Sequence, residues 1–405
     1  MHQPHDPHAQ ISNLEQCLSG NKRPLGLFLG AGCPTAVKAD GGSGPPLIPD
    51  MVGVTKVVRE TLGRCKQCGP LLRVIDQHFG NDGRTDANVE DILSHVRALR
   101  MVAGKDKVRG LSAANLDKLD ERICQVIQEV ADKSLPNTQT PYHYIAAWVE
   151  AIERDKPVEI FTTNYDLLME QAFEDCRVPY FDGFPGARKP LFDIRAMEQD
   201  VLPPRWARLW KLHGSVNWYQ TEAKRVLRSI AKESGLRRVI HPSHLKYEES
   251  RRMPYLAMMD RLRAFLKQPA ASLVVCGYSF RDEHINEVLV EGLQCTPTAI
   301  AFALQFGKID EYLQAVKLAR ERPNLTLLAK DAAVITGREA KWPERDADAL
   351  SADSGNWVTW TPAETEDGNG KRMAEFTLGD FATFGQLLAS LSGDMSEPSE
   401  TSNAK

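Results

Sequence analysis

The chain has 405 residues, 42% of them hydrophobic and 26% charged, enough for two or three domains with a sizeable core. A net charge of −4 gives no global electrostatic case for binding nucleic acid or an anionic membrane. No apolar run reaches the roughly 18 residues of a membrane span, the opening MHQPHDPHAQ lacks a signal peptide's apolar stretch, and the eight cysteines are scattered, so a cytoplasmic protein with reduced thiols is expected.

Residues 1–24 are expected to start disordered and then form a short helix around Ile11–Leu18. Leu25-Gly26-Leu27-Phe28-Leu29 is a short apolar run, read as a buried strand. It ends in Gly30-Ala31-Gly32-Cys33-Pro34-Thr35. Glycines at a strand end let backbone N–H groups approach a phosphate, although any tight turn also uses glycine. Asp40–Pro46 is a flexible loop, either a lid or plain surface. From about 49 to 135 the apolar spacing is helical, with Val58 and Leu62, Leu72 and Ile75, Ile92 and Val96, and Leu116–Val130 each fitting a helix. This reads as a helical insertion after the first strand. Cys65-Lys66-Gln67-Cys68 lies at a turn inside it and would suit half a zinc site or a redox pair, but no second CxxC completes a four-cysteine site.

Pro141–Ile152 reads as a helix and Val158–Thr162 as a strand. The strand runs into Thr163-Asn164-Tyr165-Asp166, a polar knot before the helix Leu167–Phe173. In an open parallel sheet, ligands sit outside the carboxyl ends of the strands. Helix capping accounts for Asn164 or Asp166 alone, but less well for both beside two threonines. Residues 177–205 read as a long loop, followed by the strand Leu209–Leu212, which ends in His213-Gly214-Ser215. Arg237–Ile240 reads as a strand, and His241 and His244 beyond it are separated by a proline that disfavours metal-ligand spacing. The clearest buried strand, Leu273–Cys276, ends in Gly277-Tyr278-Ser279-Phe280-Arg281-Asp282 ahead of another helix. Strands at Ala299–Leu304 and Leu325–Ala329 flank a helix near Ile309–Ala319. The alternation predicts an α/β fold, a Rossmann-like parallel sheet with helices on both faces. Residues 331–391 read as a small C-terminal module in which Trp357–Trp360 and Ala374–Thr377 flank a turn at Glu366–Gly370. Residues 392–405 read as a polar disordered tail.

The four strand ends, GAG at 30–32, TTNYD at 162–166, HGS at 213–215 and GYS at 277–279, resemble in type and order the sirtuin superfamily, over about residues 25–330. The resemblance implies that Gly30, Ala31 and Gly32 approach the pyrophosphate of NAD. It implies that Asn164 holds the nicotinamide ribose and a water, Asp166 the carboxamide, and that His213 is the base. Gly277 and Ser279 would meet the adenosine half. Cys33, Thr162, Thr163 and Tyr278, within the same strand ends, are placed with them as NAD-binding candidates.

The run GYSFRDEHIN, with HPSHLKY upstream, is similar to the bacterial sirtuin-like NAD-degrading proteins of antiphage defence. Two departures from the deacetylases stand out. Between Gly214 and Val275 there is no cysteine, so their zinc ribbon is missing, and Cys33 replaces the usual serine. The resemblance therefore implies an NAD+ glycohydrolase that releases nicotinamide and ADP-ribose, with NAD+ as substrate and no prosthetic group or metal. An ADP-ribosyl transferase or cyclase, a non-enzymatic nucleotide sensor and a deacetylase are the competing readings. The expected partners are further copies of the chain and a HerA-type ATPase.

Overall fold

The structure is a computed structural model that describes residues 4–42, 44–84, 86–199, 201–221, 225–229, 237–240, 254–346, 357–362 and 371–393. His241, His244 and the 366–370 turn lie outside the described residues. The helices are α1 (Pro7–Ser19), α2 (Met51–Arg64), α3 (Cys68–Asn81), α4 (Val89–Val102), α5 (Ala113–Ala131), α6 (Pro141–Ala151), α7 (Leu168–Asp175), α8 (Ile194–Gln199), α9 (Tyr255–Leu266), α10 (Glu283–Cys295), α11 (Leu313–Glu321) and α12 (Phe381–Ser392). The main-sheet strands are β1 (Leu25–Leu29), β2 (Val158–Thr162), β3 (Tyr180–Phe181), β4 (Ala207–Lys211), β8 (Ser272–Cys276), β9 (Ile300–Leu304), β10 (Leu325–Leu328), β11 (Ala332–Ile335) and β12 (Arg338–Lys341). Two small antiparallel sheets use β5 (Gly214–Gln220), β6 (Val226–Arg228) and β7 (Arg237–Ile240), and β13 (Glu344–Asp346), β14 (Val358–Pro362) and β15 (Lys371–Phe376).

The main sheet runs β12-β11-β10-β9-β8-β1-β2-β4-β3, parallel from β10 to β3, with β11 and β12 antiparallel at one edge. From β1 the chain builds outward first through β2 and β4, then returns to the other flank of β1 with β8 and β9. The boundary between β1 and β8 is therefore a topological switch point, where the connections diverge to opposite faces and open a crevice at the carboxyl edge.

Each central strand is buried from end to end because both faces are covered. Leu27 and Leu29 of β1 pack with Ile160, Tyr142 and Phe173, while Phe28 packs on the opposite face with Phe161, Phe265 and Val275. A third cluster, built on Val58, Ile75, Ile92 and Ile123, belongs to α2–α5 and gives the insertion its own core.

Two stretches differ from the sequence reading. The expected long loop at 177–205 contains β3 and α8. The expected C-terminal module does not stand apart. β11 and β12 extend the main sheet, and Trp342, Phe376 and Phe384 share a core with Leu27 and Ile160. α12 lies on α6, with the Phe381 ring 5.0 Å from that of Tyr142. A Cβ at Gly385 would sit 2.9 Å from the Pro141 Cα, so glycine permits that approach. A segment of roughly sixty residues has too little core of its own, and docking its apolar side chains on the sheet supplies the missing burial. Among the described residues no helix is long and apolar enough to cross a membrane.

Candidate functional site

The turns that follow β1 and β8 are pressed together. The Gly30 N–H donates to the Cys276 carbonyl at 2.9 Å and the Gly32 N–H to the Gly277 carbonyl at 2.8 Å. Gly277 has φ +66, and a Cβ there would lie 2.6 Å from the Cys33 nitrogen. A Cβ on Gly30 would lie 2.4 Å from the Gly277 oxygen. Each glycine is thus required by the other turn, as close backbone approach demands. Gly30 and Gly32 accordingly spend their N–H groups inside the protein. Cys33 is fully buried, donates its thiol to the Cys276 carbonyl at 3.3 Å, and has its pKa pushed well up by that burial.

The β2 end is tied to the same turn. Thr162 Oγ1 donates to the Leu29 carbonyl at 2.8 Å and accepts the Asn164 N–H at 3.0 Å. Asn164 Nδ2 donates to the Gly30 carbonyl at 3.0 Å, which leaves Oδ1 as the acceptor of this nearly buried amide. Asp166 is buried and accepts the Leu168 N–H at 3.1 Å. Burial raises its pKa to about 6, against the opposing pull of the Lys211 charge. Lys211, at the end of β4 and itself buried, donates to the Asp166 carbonyl and, at 2.9 Å, to Glu170 Oε1.

Just beyond Lys211, His213 Nε2 lies 3.1 Å from Asp282 Oδ2. The other oxygen of Asp282 caps α10, accepting the N–H groups of His284 and Ile285. One carboxylate therefore starts a helix and orients an imidazole. The ring of Tyr165 stands 6.3 Å from that of His213. The GYSFRD turn is fixed from inside. Tyr278 hydrogen-bonds Asn286 Oδ1 at 2.9 Å, Asn286 Nδ2 donates to the Phe280 carbonyl at 2.8 Å, and Gln305 Nε2 donates to the Tyr278 carbonyl at 3.1 Å.

These strand ends surround one cavity of about 210 Å³. Ala31, Thr163, Asn164, Asp166, His213, Gly277, Tyr278 and Ser279 line it. Gly30, Gly32, Cys33 and Thr162 are not in the lining and act from behind, holding the strand ends in place. The opposite wall comes from the insertion, with Met51 and Val54 of α2, Glu90 at the start of α4 and Val130 near the end of α5. Asp282, Arg281 and Glu90 are lining residues that the strand-end pattern did not single out. An aspartate before a helix looks like any N-cap, and Glu90 sits in a first turn where acidic residues are common. The assembled cavity offers an imidazole held by a carboxylate, an amide acceptor, and a carboxyl group that exchanges its proton near neutral pH.

Residues 158–322 match the SIR2-like domain family. The matched stretch carries the 162–166, 213–215 and 277–279 motifs and leaves out β1 and the insertion. No curated protein matches the chain. A solved structure described as the structural basis for the mechanism and regulation of Sir2 enzymes is similar over 74% of this chain and 85% of its own, at 13% identity and a TM-score of 0.34. A likeness that distant carries no residue roles.

Proposed function

We propose that the chain hydrolyses the N-glycosidic bond of NAD+, releasing nicotinamide and ADP-ribose. The observation that supports it best is the meeting of His213, Asn164 and Asp166 in one cavity beside the paired glycine turns of the switch point. Nicotinamide leaves as a neutral group, so the bond is already activated, and positive charge develops at the ribose C1′. The site then has three tasks. Asn164 offers its free amide oxygen to a ribose hydroxyl or a water. Asp166 faces the carboxamide of the leaving ring. His213, oriented by Asp282, takes a proton from the hydroxyl or the attacking water, help worth roughly 10²–10⁴-fold.

The cavity of about 210 Å³ is smaller than the roughly 300–1,000 Å³ usual for small-molecule sites. A whole dinucleotide therefore extends through its mouth or draws the insertion back. The likeness of GYSFRDEHIN to antiphage NAD-degrading proteins supports a reading in which the activity serves bacterial defence by depleting NAD+ in the cytoplasm. Uncontrolled loss of NAD+ is toxic, so the activity is controlled through assembly of the chain with itself and with a HerA-type ATPase that acts as trigger or brake.

The test is incubation of NAD+ with the purified chain, alone and with the ATPase, with products resolved by chromatography. The wild type is expected to yield nicotinamide and ADP-ribose. His213→Ala and Asn164→Ala are each expected to remove most turnover while keeping the fold. Parent rates in either variant would overturn the assignment. A cyclic product or labelled protein would point to transfer, and tight NAD+ binding without nicotinamide release in any assembly would point to a sensor.

A further inference from the structure

We propose that Cys65 and Cys68 form a redox-active dithiol on the helical insertion, oxidised reversibly to an intramolecular disulfide. The turn between α2 and α3 is built for it. Cys65 ends α2 and is part-exposed, whereas Cys68 opens α3 and is almost fully buried. The Cys68 N–H donates to Cys65 Sγ at 3.3 Å, which draws the second cysteine onto the sulfur of the first. The Gly69 N–H donates to the Cys65 carbonyl at 2.9 Å. A Cβ on Gly69 would lie 2.9 Å from the Gly63 oxygen, so glycine lets the first turn of α3 close onto the end of α2.

The electrostatics divide the labour between the sulfurs. The N–H groups of Cys68 and Gln67 lower the Cys65 pKa, with a further contribution from the Arg122 charge on α5. Burial raises that of Cys68. This is the asymmetry of an attacking and a resolving thiol. Among the described residues no group of three or more His, Cys, Asp or Glu is placed to hold a metal ion. The pair lies at the opposite end of α2 from Met51 and Val54, so the proposal does not depend on the NAD+ reading.

With hydrogen peroxide as oxidant, the Cys65 thiolate attacks one peroxide oxygen, becoming a sulfenic acid and releasing hydroxide, which takes up the thiol's proton as water. The Cys68 sulfur then attacks the Cys65 sulfur, the S–O bond breaks, a second water leaves and the disulfide forms. Two thiols lose two electrons and peroxide gains them.

The experiment uses the full reduced chain. Alkylation across pH 5–9, read by peptide mass spectrometry, is expected to label Cys65 several-fold faster at neutral pH than the exposed Cys295. A small excess of peroxide is expected to remove two hydrogens from the peptide spanning both cysteines and block their alkylation, with dithiothreitol restoring it. Cys68→Ser is expected to leave Cys65 as a sulfenic acid captured by dimedone. Alkylation of Cys65 no faster than Cys295 would overturn the proposal, as would Cys65 passing to sulfinic acid while Cys68 remains free.

Discussion

Replacing Asp166 by Asn tests the reading of the site through stability and activity together. The carboxyl is buried, and its pKa rises from 3.8 to about 6, mainly through burial, even with Lys211 nearby. At about 1.4 kcal/mol per unit, that displacement corresponds to roughly 3 kcal/mol. A folded pKa above the unfolded one means that the native state holds the proton more tightly. The contribution therefore favours the fold below about pH 4 and is lost as pH rises to about 6. Above that, the wild type carries the full cost of a desolvated carboxylate. Asparagine keeps the oxygen that accepts the Leu168 N–H and has no charge to bury. Asp166→Asn is expected to match the wild type's thermal midpoint near pH 4 and exceed it by several degrees at pH 8, while NAD+ turnover falls. Scanning fluorimetry at both pH values, beside nicotinamide release, checks this. A variant no more stable than the wild type at pH 8, or equally stabilised at both, would refute the reasoning.

The same site yields three further expectations. Lys211→Met leaves the Glu170 carboxylate buried without its 2.9 Å partner, and loss of about 3–5 kcal/mol is expected as a large fall in the thermal midpoint. Asp282→Asn keeps an acceptor to cap α10 but removes the charge beside His213, so turnover is expected to drop with the midpoint nearly unchanged; Asp282→Ala also loses the cap, worth roughly 0.5–2 kcal/mol. Gly277→Ala forces a side chain into φ +66 and a 2.6 Å approach to Cys33, so it is expected to cost more than the roughly 1–3 kcal/mol of backbone strain alone, read by denaturant titration.

The parts legible in the sequence are those where local chemistry and final position coincide. β1, β2 and β8 appear as short apolar runs because both their faces are covered. Asn164, Asp166 and His213 stand out as polar residues directly after such runs, and all three line the one cavity. Asp282 was hidden by its second task, since its capping oxygen already explains an aspartate before α10. Glu90 was hidden because the side of α4 that meets the sheet is decided by how the insertion docks, which no spacing records. The C-terminal strands read as a separate unit because their apolar residues are few and local. Their core partners, Leu27 and Ile160, lie far back in the chain. The glycine motif was visible, but its division of labour was not. The contact between the Gly30 and Gly277 turns joins residues far apart in sequence, and it uses N–H groups that a strand-end glycine motif alone would assign to a phosphate.

The position of the insertion follows from topology. It leaves the chain at the carboxyl end of β1 and returns before β2, the strand alongside. α6 then carries the chain back to the start of β2, which runs parallel to β1, and residues of α2, α4 and α5 line the cavity at the strand ends. Val216 of β5 joins the insertion's core, with Tyr165 and Leu167 packed against it, so the segments carrying Asp166 and His213 touch the insertion directly. A shift of α2–α5 would therefore reach the cavity wall without disturbing the parallel sheet. If the proposed hydrolysis is right, the sheet would hold Asn164 and His213 in place while movement of the separately cored insertion would change access to the cavity.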